Sequence, residues 1–118
     1  MSQFSLSTRT LPPTHVIDLA GFLDAHTAPQ LEGAFKGLID EGVYRIIVNF
    51  RDLSYISSAG LGVFMAFIEE VRTHNGDIKL VGMSPKIYNV FDLLGFPMLY
   101  EIYDDEEQAH RKFTEAVG

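Results

Sequence analysis

Residues 45–62 read RIIVNFRDLSYISSAGLG, and this stretch decides the class of fold. Its first part, Arg45 to Phe50, is short, apolar and β-branched, which is typical of a strand buried at the centre of a sheet. The second part runs from Asp52 into a helix that we expect to begin near Ser57 or Ser58. A buried strand that leads into a helix is the building unit of a parallel sheet.

Two strands and a helix are predicted before this stretch. Residues 4–8 alternate between apolar and polar side chains like a strand. Residues 15–19 indicate a second strand, close enough to the first to pair with it as a hairpin. Thr27 and Gln30 have capping-box spacing, which predicts the start of the first helix.

The same alternation continues after the stretch. Residues 78–81 indicate a strand, and the Ser-Pro pair at 84–85 predicts an N-cap with proline at the first helical position. Residues 99–103 indicate a last short strand. Asp104 and Glu107 then form a capping pair that opens a final helix.

The predicted order is therefore β-β-α-β-α-β-α-β-α, with about five strands and about four helices. Strands that alternate with single helices imply right-handed crossovers, and hence an α/β fold with a mixed, mostly parallel sheet. We expect the first strand to add in antiparallel fashion at one side. The length of 118 residues predicts one domain spanning 1–118.

Composition narrows the function classes. The chain has no cysteine, which excludes disulfides and thiolate metal sites, and its net charge of −7 argues against binding a nucleic-acid backbone. The longest apolar run, near residues 59–68, is too short to span a bilayer. With no secretory signal visible, we expect a cytoplasmic protein that binds no membrane and no nucleic acid.

The segment Asp52–Gly62 is the one that core packing does not explain. It contains the hydroxyls of Ser54, Ser57 and Ser58, followed by small residues. Amide N–H groups at a helix start lack helical partners and favour an anion. Two interpretations stay open: either Ser57 or Ser58 is only an N-cap, or the segment receives or binds a phosphate.

This segment resembles the signature of the STAS-domain anti-sigma factor antagonists, and the likeness covers essentially the whole chain with the same order of elements. Two further regions resemble that family's motifs. They are the Gly-x-Leu-Asp motif after the second strand, at Gly21-Phe-Leu-Asp24, and the third-helix region, at Gly82-Met-Ser-Pro85 with Val90-Phe91 and Leu94-Gly95.

The resemblance implies a STAS fold and a protein-interaction switch rather than an enzyme. In the antagonists, the first serine of a Ser-Ser-Gly-Leu-Gly run is phosphorylated by the anti-sigma factor kinase, and alignment on the Gly-Leu-Gly sequence places that serine at Ser58. Ser57 stands where the family often has aspartate, and Ala59 where it often has a second serine. The residues implied in partner binding are Asp24, Ser57, Ser58, Ala59, Gly60, Leu61 and Gly62.

The implied partners are an anti-sigma factor serine kinase and a serine phosphatase of the PP2C type, with no cofactor and no metal, and we expect a monomer. For Asp24 an equal alternative is a turn or cap aspartate at the mouth of the first helix. Within the same fold, the alternative function is a STAS scaffold or ligand-sensing module that works without serine phosphorylation.

The main enzymatic alternative is a serine hydrolase, which needs a base near its nucleophile and a third group to orient that base. The Gly-x-Ser-x-Gly pattern is absent. The four histidines are scattered along the chain, and none has metal-ligand spacing with carboxylates: His15, His26, His74 and His110. The sequence therefore predicts a protein that is not an enzyme.

Overall fold

The structure, a computed structural model, describes residues 4–117, with side chains up to residue 115. It contains the five strands and four helices predicted, in the predicted order. The strands are β1 (Phe4–Leu11), β2 (Thr14–Leu23), β3 (Arg45–Ile56), β4 (Asp77–Val81) and β5 (Ile102–Tyr103). The helices are α1 (Ala28–Asp40), α2 (Ser58–Thr73), α3 (Pro85–Leu93) and α4 (Glu106–Val117), with a short 3₁₀ turn at Phe96–Met98.

The five strands form one sheet in the order β1-β2-β3-β4-β5. β1 and β2 pair as an antiparallel hairpin, and the other neighbours are parallel, as predicted. The pairing of β2 with β3 extends to Leu23 opposite Ile56, whereas β4 accompanies β3 only as far as Asn49 opposite Val81. The carboxyl ends of β2 and β3 therefore extend beyond the rest of the parallel sheet.

The main core lies between the sheet and helices α1, α2 and α3. It is centred on four phenylalanines that are fully buried: Phe35, Phe50, Phe64 and Phe91. The spacing of α2 predicts an apolar stripe that contains Met65, and it places Phe67 off this stripe, as a peripheral core residue or a partner contact. Phe67 is buried and lies 5.4 Å from Phe35 between ring centroids. Met65, which the spacing places on that stripe, is instead 47% exposed. Burial of each large apolar side chain contributes roughly 1.5–3 kcal/mol.

Helix α4 covers the other face of the sheet. Its Ala109 and Phe113 pack against Val16, Ile47 and Val81. Arg9 of β1 strengthens this attachment, because its guanidinium donates to Asp18 on β2, at 2.7 Å from Nε to Oδ2, and to Glu106 at the start of α4. Arg9 thereby links the edge strand β1 to the start of α4.

Two helix starts differ from the predictions. Thr27 precedes α1, but its hydroxyl donates to the Phe22 carbonyl at 2.8 Å and does not cap the helix, so the predicted Thr27–Gln30 capping box is wrong. Before α4 the capping pair lies one residue later than predicted, since the Gln108 amide donates to Asp105 Oδ1 at 2.9 Å. In both cases the spacing correctly indicated that a helix begins nearby, but it did not identify the side chain that caps the helix.

The last strand is also shorter than predicted. Residues 99–101 stay outside β5, which comprises only residues 102–103. The Phe96 and Tyr100 rings stack at 5.4 Å and are buried, so this segment turns inward before it can pair with β4. Among the helices of residues 4–117, none has the length and apolar character needed to span a bilayer.

Candidate functional site at the start of helix α2

The connection between β3 and α2 is a single residue, Ser57. Residues 52–56 were predicted to lie between the buried strand and the helix, but they belong to β3. Ser54 therefore lies exposed on a strand, while Ser57 and Ser58 occupy the turn into α2. The structure thus separates the three hydroxyls into one on the strand and two at the helix start.

Ser57 occupies the N-cap position without acting as a side-chain cap. Its backbone is extended (φ −100°, ψ 173°), and its hydroxyl makes no bond to the helix. The Ser57 Oγ is buried and finds no hydrogen-bond partner within residues 4–117. Its backbone amide donates to the Leu23 carbonyl at 2.9 Å, which ties the start of α2 to the end of β2.

Ser58 is the first residue of α2 and is exposed to solvent. The first α-helical hydrogen bond at this end runs from the Leu61 amide to the Ser57 carbonyl, at 3.1 Å. The amides of Ser58, Ala59 and Gly60 therefore lie ahead of the helical ladder, at the positive end of the helix dipole. This arrangement can accommodate a negative group on or near the Ser58 hydroxyl.

Close packing explains one of the two glycines in the signature. A Cβ atom on Gly60 would lie 2.8 Å from Leu23 Cγ and 3.0 Å from Ile56 Cγ1, so the first turn of α2 rests directly on the ends of β2 and β3. A Cβ atom on Gly62 would meet nothing within 4 Å. Leu61 is buried in the main core, so this residue anchors the helix.

Asp24 follows Leu23 directly and therefore lies at the same end of the sheet as Ser57 and Ser58. Its Oδ1 accepts hydrogen bonds from the backbone amides of His26 at 2.9 Å and Thr27 at 3.2 Å. Asp24 thus has the turn role that the sequence left open. The half-buried carboxylate still lies at the surface beside the start of α2.

A groove of about 320 Å³ runs between α1 and α2 next to Ser58. Its walls carry mostly small side chains, so the two helices leave room for atoms of a partner. Two of the implied partner-binding residues, Ala59 and Gly62, line it. The remaining lining residues are Ala25, Ala28, Pro29, Glu32, Val63 and Ala66.

Two aromatic residues at this end of the sheet were not among the predicted site residues. Phe22 and Tyr55 lie opposite each other on β2 and β3, with ring centroids 5.8 Å apart, and are 44% and 42% exposed. We refer to them as the aromatic pair. Both residues fall inside the quoted motifs, but the register shifts between β2 and β3 break the alternation that would have indicated their exposure.

Among the side chains of residues 4–115, no histidine hydrogen-bonds to Ser57 or Ser58, as the base of a serine hydrolase would. His26 lies in the same turn as Asp24, but the Asp24 carboxylate accepts from the backbone amide of His26. His74 stacks on Tyr44 at the far end of α2, and the His110 ring bonds to the Pro12 carbonyl. Among residues 4–117, no group of three or more acidic residues and histidines is arranged to hold a metal ion.

Comparisons with known proteins agree with this geometry. Residues 5–109 match the family model of the STAS domain. The anti-sigma-B factor antagonist of Staphylococcus epidermidis is 27% identical over 103 residues, which cover 87% of this chain and 95% of that protein.

Solved structures of the anti-sigma factor antagonist SpoIIAA superpose on most of the chain. The unphosphorylated form is 27% identical with a TM-score of 0.83, covering 94% of this chain and 97% of that one. The phosphorylated form of SpoIIAA, described as a Bacillus cell fate determinant, is 30% identical with a TM-score of 0.72, covering 94% and 99%.

Proposed function

The chain belongs to the STAS domain family, and we propose that it acts as an anti-sigma factor antagonist whose binding is switched by phosphorylation of Ser58. One observation supports this most directly. Ser58 is exposed at the first position of α2, beside three amides that precede the helical ladder. Relatives of similar length are named as antagonists, and SpoIIAA has been solved both with and without its phosphate.

In the unphosphorylated state, the start of α2 docks onto an anti-sigma factor of the serine-kinase type. The proposed contact surface contains Asp24 and the segment Ser57–Gly62. The groove between α1 and α2 gives the partner access to Ala59 and Gly62. Docking occupies the anti-sigma factor and frees the sigma factor that it would otherwise hold.

Phosphorylation then ends the docked state. The kinase transfers the γ-phosphoryl group of ATP to Ser58 Oγ, the hydroxyl proton leaves, and ADP is released. The new group carries −1.5 to −2 charges, in round terms, and three acceptor oxygens. Because it lies at the positive end of α2, the domain stays folded, whereas a close-packed interface would face added bulk, charge and desolvation.

The chain supplies the phosphate acceptor and no catalytic group in this scheme. The ATP chemistry belongs to the kinase, and a phosphatase of the PP2C type hydrolyses the phosphoserine to reset the switch. The chain itself works as a monomer of one STAS domain, residues 1–118, in the cytoplasm. Neither step requires a cofactor or metal bound to this protein.

The test is phosphorylation by a purified anti-sigma factor kinase of the source organism in the presence of ATP. We expect one adduct of about 80 Da, the mass of one phosphoryl group, located on Ser58 by peptide mapping and removed by a PP2C-type phosphatase. Ser57→Ala is the matched control, and it should still accept the phosphate, whereas Ser58→Ala should not.

An adduct on Ser57 or Ser54 would contradict the assignment of Ser58. If every anti-sigma factor kinase of the organism left the chain unmodified, the phosphorylation switch would be wrong. A scaffold or ligand-sensing role within the STAS family would then be the better interpretation.

A further inference from the structure

The aromatic pair stands out among the exposed residues near Ser58. Phe22 and Tyr55 are large side chains in strands, where alternate positions normally bury such residues. Here both rings are more than two-fifths exposed, and their 46° tilt at 5.8 Å makes them one continuous apolar surface. Solvent exposure of two adjacent aromatic rings is unfavourable unless another surface covers them.

Helix α4 does not cover the aromatic pair. The apolar cluster beneath α4 includes Val16 on β2 and Ile47 on β3, which precede Phe22 and Tyr55 by six and eight residues. β4 stops at Val81 opposite Asn49, so β3 continues past it with β2 as its neighbour. Within the part of the chain that the structure describes, the fold thus extends two strands beyond the helix that covers this face.

The aromatic pair is continuous with the proposed switch. Phe22 is separated from Asp24 by Leu23, whose carbonyl accepts the Ser57 amide at 2.9 Å. Tyr55 is on β3 and precedes Ser57, the residue that connects β3 to α2, by two positions. Thr27 adds a third connection, since its hydroxyl donates to the Phe22 carbonyl and accepts from the Asp24 amide. The aromatic pair therefore lies at the same end of the sheet as Asp24 and the start of α2.

We infer that the aromatic pair is the apolar anchor by which the anti-sigma factor holds this chain, with Ser58 beside the anchor. This inference depends on the proposed function, because it identifies the anti-sigma factor as the occupant. The partner is expected to present an apolar recess that takes both rings. Interface energy is concentrated in a few buried aromatic residues, and Phe22 and Tyr55 are of that kind.

The position of the anchor explains how one phosphate can release the partner. The rings supply apolar contact area, and a charged group on Ser58 at the edge of that area prevents the surfaces from closing around them. Loss of the anchor should therefore weaken binding even when Ser58 is unmodified. Loss of the anchor should change the rate of phosphoryl transfer to Ser58, measured at saturating kinase concentration, less than it changes the affinity for the kinase.

The experiment compares Phe22→Ser and Tyr55→Ser with Tyr88→Ser, which removes a tyrosine of similar exposure (38%) from helix α3. The probe is the purified anti-sigma factor that phosphorylates the wild-type chain, and the measurement is calorimetric titration without ATP. We expect each variant of the aromatic pair to raise Kd at least tenfold, which is roughly 1.4 kcal/mol or more. Tyr88→Ser should stay within threefold of wild type.

Photocrosslinking keeps the inference testable if a serine variant does not fold. Benzoylphenylalanine at position 55 retains an aromatic ring and should crosslink to the anti-sigma factor, whereas the same group at position 88 should not. Equal crosslinking at both positions, or Kd values of both serine variants within threefold of wild type, would overturn the anchor. If the anchor is overturned, phosphorylation of Ser58 in the same variants after ATP is added would show that the proposed function survives. If no anti-sigma factor kinase of the organism phosphorylates the wild-type chain, both the anchor and the proposed function are refuted.

Discussion

Helices α2 and α3 begin in similar ways and differ in one functional detail. Each follows a parallel strand, and each is preceded by a serine in extended backbone, Ser57 (φ −100°, ψ 173°) and Ser84 (φ −68°, ψ 161°). Ser84 Oγ accepts the Ile87 amide at 3.2 Å, and Pro85 removes one unpaired donor. Ser57 Oγ makes no such bond, and Ser58 keeps its amide.

The difference shows which of the two helix starts is built for stability. At α3, side chain and proline together satisfy the first turn, as the sequence predicted. At α2, the hydroxyl that would cap the helix is buried, and the amides of the first turn remain available to a new acceptor. A fold that omits a local stabilising interaction at one point does so most often where function requires it.

The largest expected effect comes from a negative charge at the start of α2. Ser58→Asp should weaken binding of the anti-sigma factor by about a hundredfold or more, which corresponds to about 2.7 kcal/mol, because the charge must be desolvated in the interface. Ser84→Asp is the control: it keeps a capping side chain and adds the same charge at α3. In calorimetric titration, the Kd of the control for the anti-sigma factor should stay within threefold of the wild-type value. If Ser58→Asp bound as tightly as wild type, the charge would not be what releases the partner.

The second effect concerns the packing beneath α2. Gly60→Ala places a methyl group 2.8 Å from Leu23 Cγ, so we expect it to destabilise the fold by roughly 1–2 kcal/mol. Gly62→Ala meets open space on the same helix and should stabilise by up to about 1 kcal/mol. Urea unfolding of both variants measures the difference, and equal changes would show that α2 does not rest on β2 and β3 as described.

The two serines provide a smaller and more direct comparison. Ser84→Ala should lower the free energy of unfolding by about 1 kcal/mol, because it removes a formed N-cap bond. Ser57→Ala should leave it unchanged or raise it by up to about 1 kcal/mol, because the variant removes a buried hydroxyl whose desolvation no hydrogen bond offsets. A loss of 1 kcal/mol in Ser57→Ala, measured by urea unfolding, would mean that Ser57 caps α2 in solution.

The smallest expected effect concerns the loss of stability in acid, which arises at Asp18 on β2 and at neither helix start. The hydrogen bond from Arg9 lowers the pKa of Asp18, partial burial opposes this, and a bond from Asn49 adds to it. Since the folded-state pKa lies below the unfolded value of about 3.9, this stabilisation is present above that value and is lost as pH falls through the folded pKa.

Asp18→Asn should therefore reduce the free energy of unfolding by about 0.5 kcal/mol at pH 7, a value kept small because the pair is partly exposed, and by less at pH 3. Urea unfolding at the two pH values measures this, with Asp92→Asn on the exposed side of α3 as the control. If the free energy of unfolding of Asp18→Asn fell between pH 7 and pH 3 by as much as that of wild type, other carboxylates would be responsible for the loss of stability in acid.

The sequence predicted the order of elements and the class of sheet because hydrophobic periodicity is a local signal. It did not predict which side chain caps a helix when two compete. Thr27 has the right spacing, but the Phe22 carbonyl takes its hydroxyl, and that contact depends on how β2 meets α1. The exposure of Met65 has a similar cause, since the ring of Phe35 on a neighbouring helix packs against Phe67.

The sequence indicated which residues belong to the candidate site, but not how the strands and exposed rings around it are arranged. The signature located Ser58 and the resemblance assigned its role, but the extension of β3 to Ile56 follows from pairing with β2, which is not a local property. Phe22 and Tyr55 lie where α4 does not cover the sheet and where β4 has ended, and both of these elements are distant in the chain. Sequence reasoning thus led to the proposal of Ser58 as the acceptor but gave no indication of the aromatic surface at the same end of the sheet.

The order of the strands in the sheet has a consequence for how the protein is made. Because β1 to β5 lie side by side in the order in which they occur in the chain, each strand pairs with one already synthesised, and no gap waits for a later segment. Such a topology pairs each strand with its nearest neighbour in the sequence, which shortens the loops that must close during folding. The domain can therefore assemble strand by strand as it leaves the ribosome, with α4 as the last element to close over the sheet.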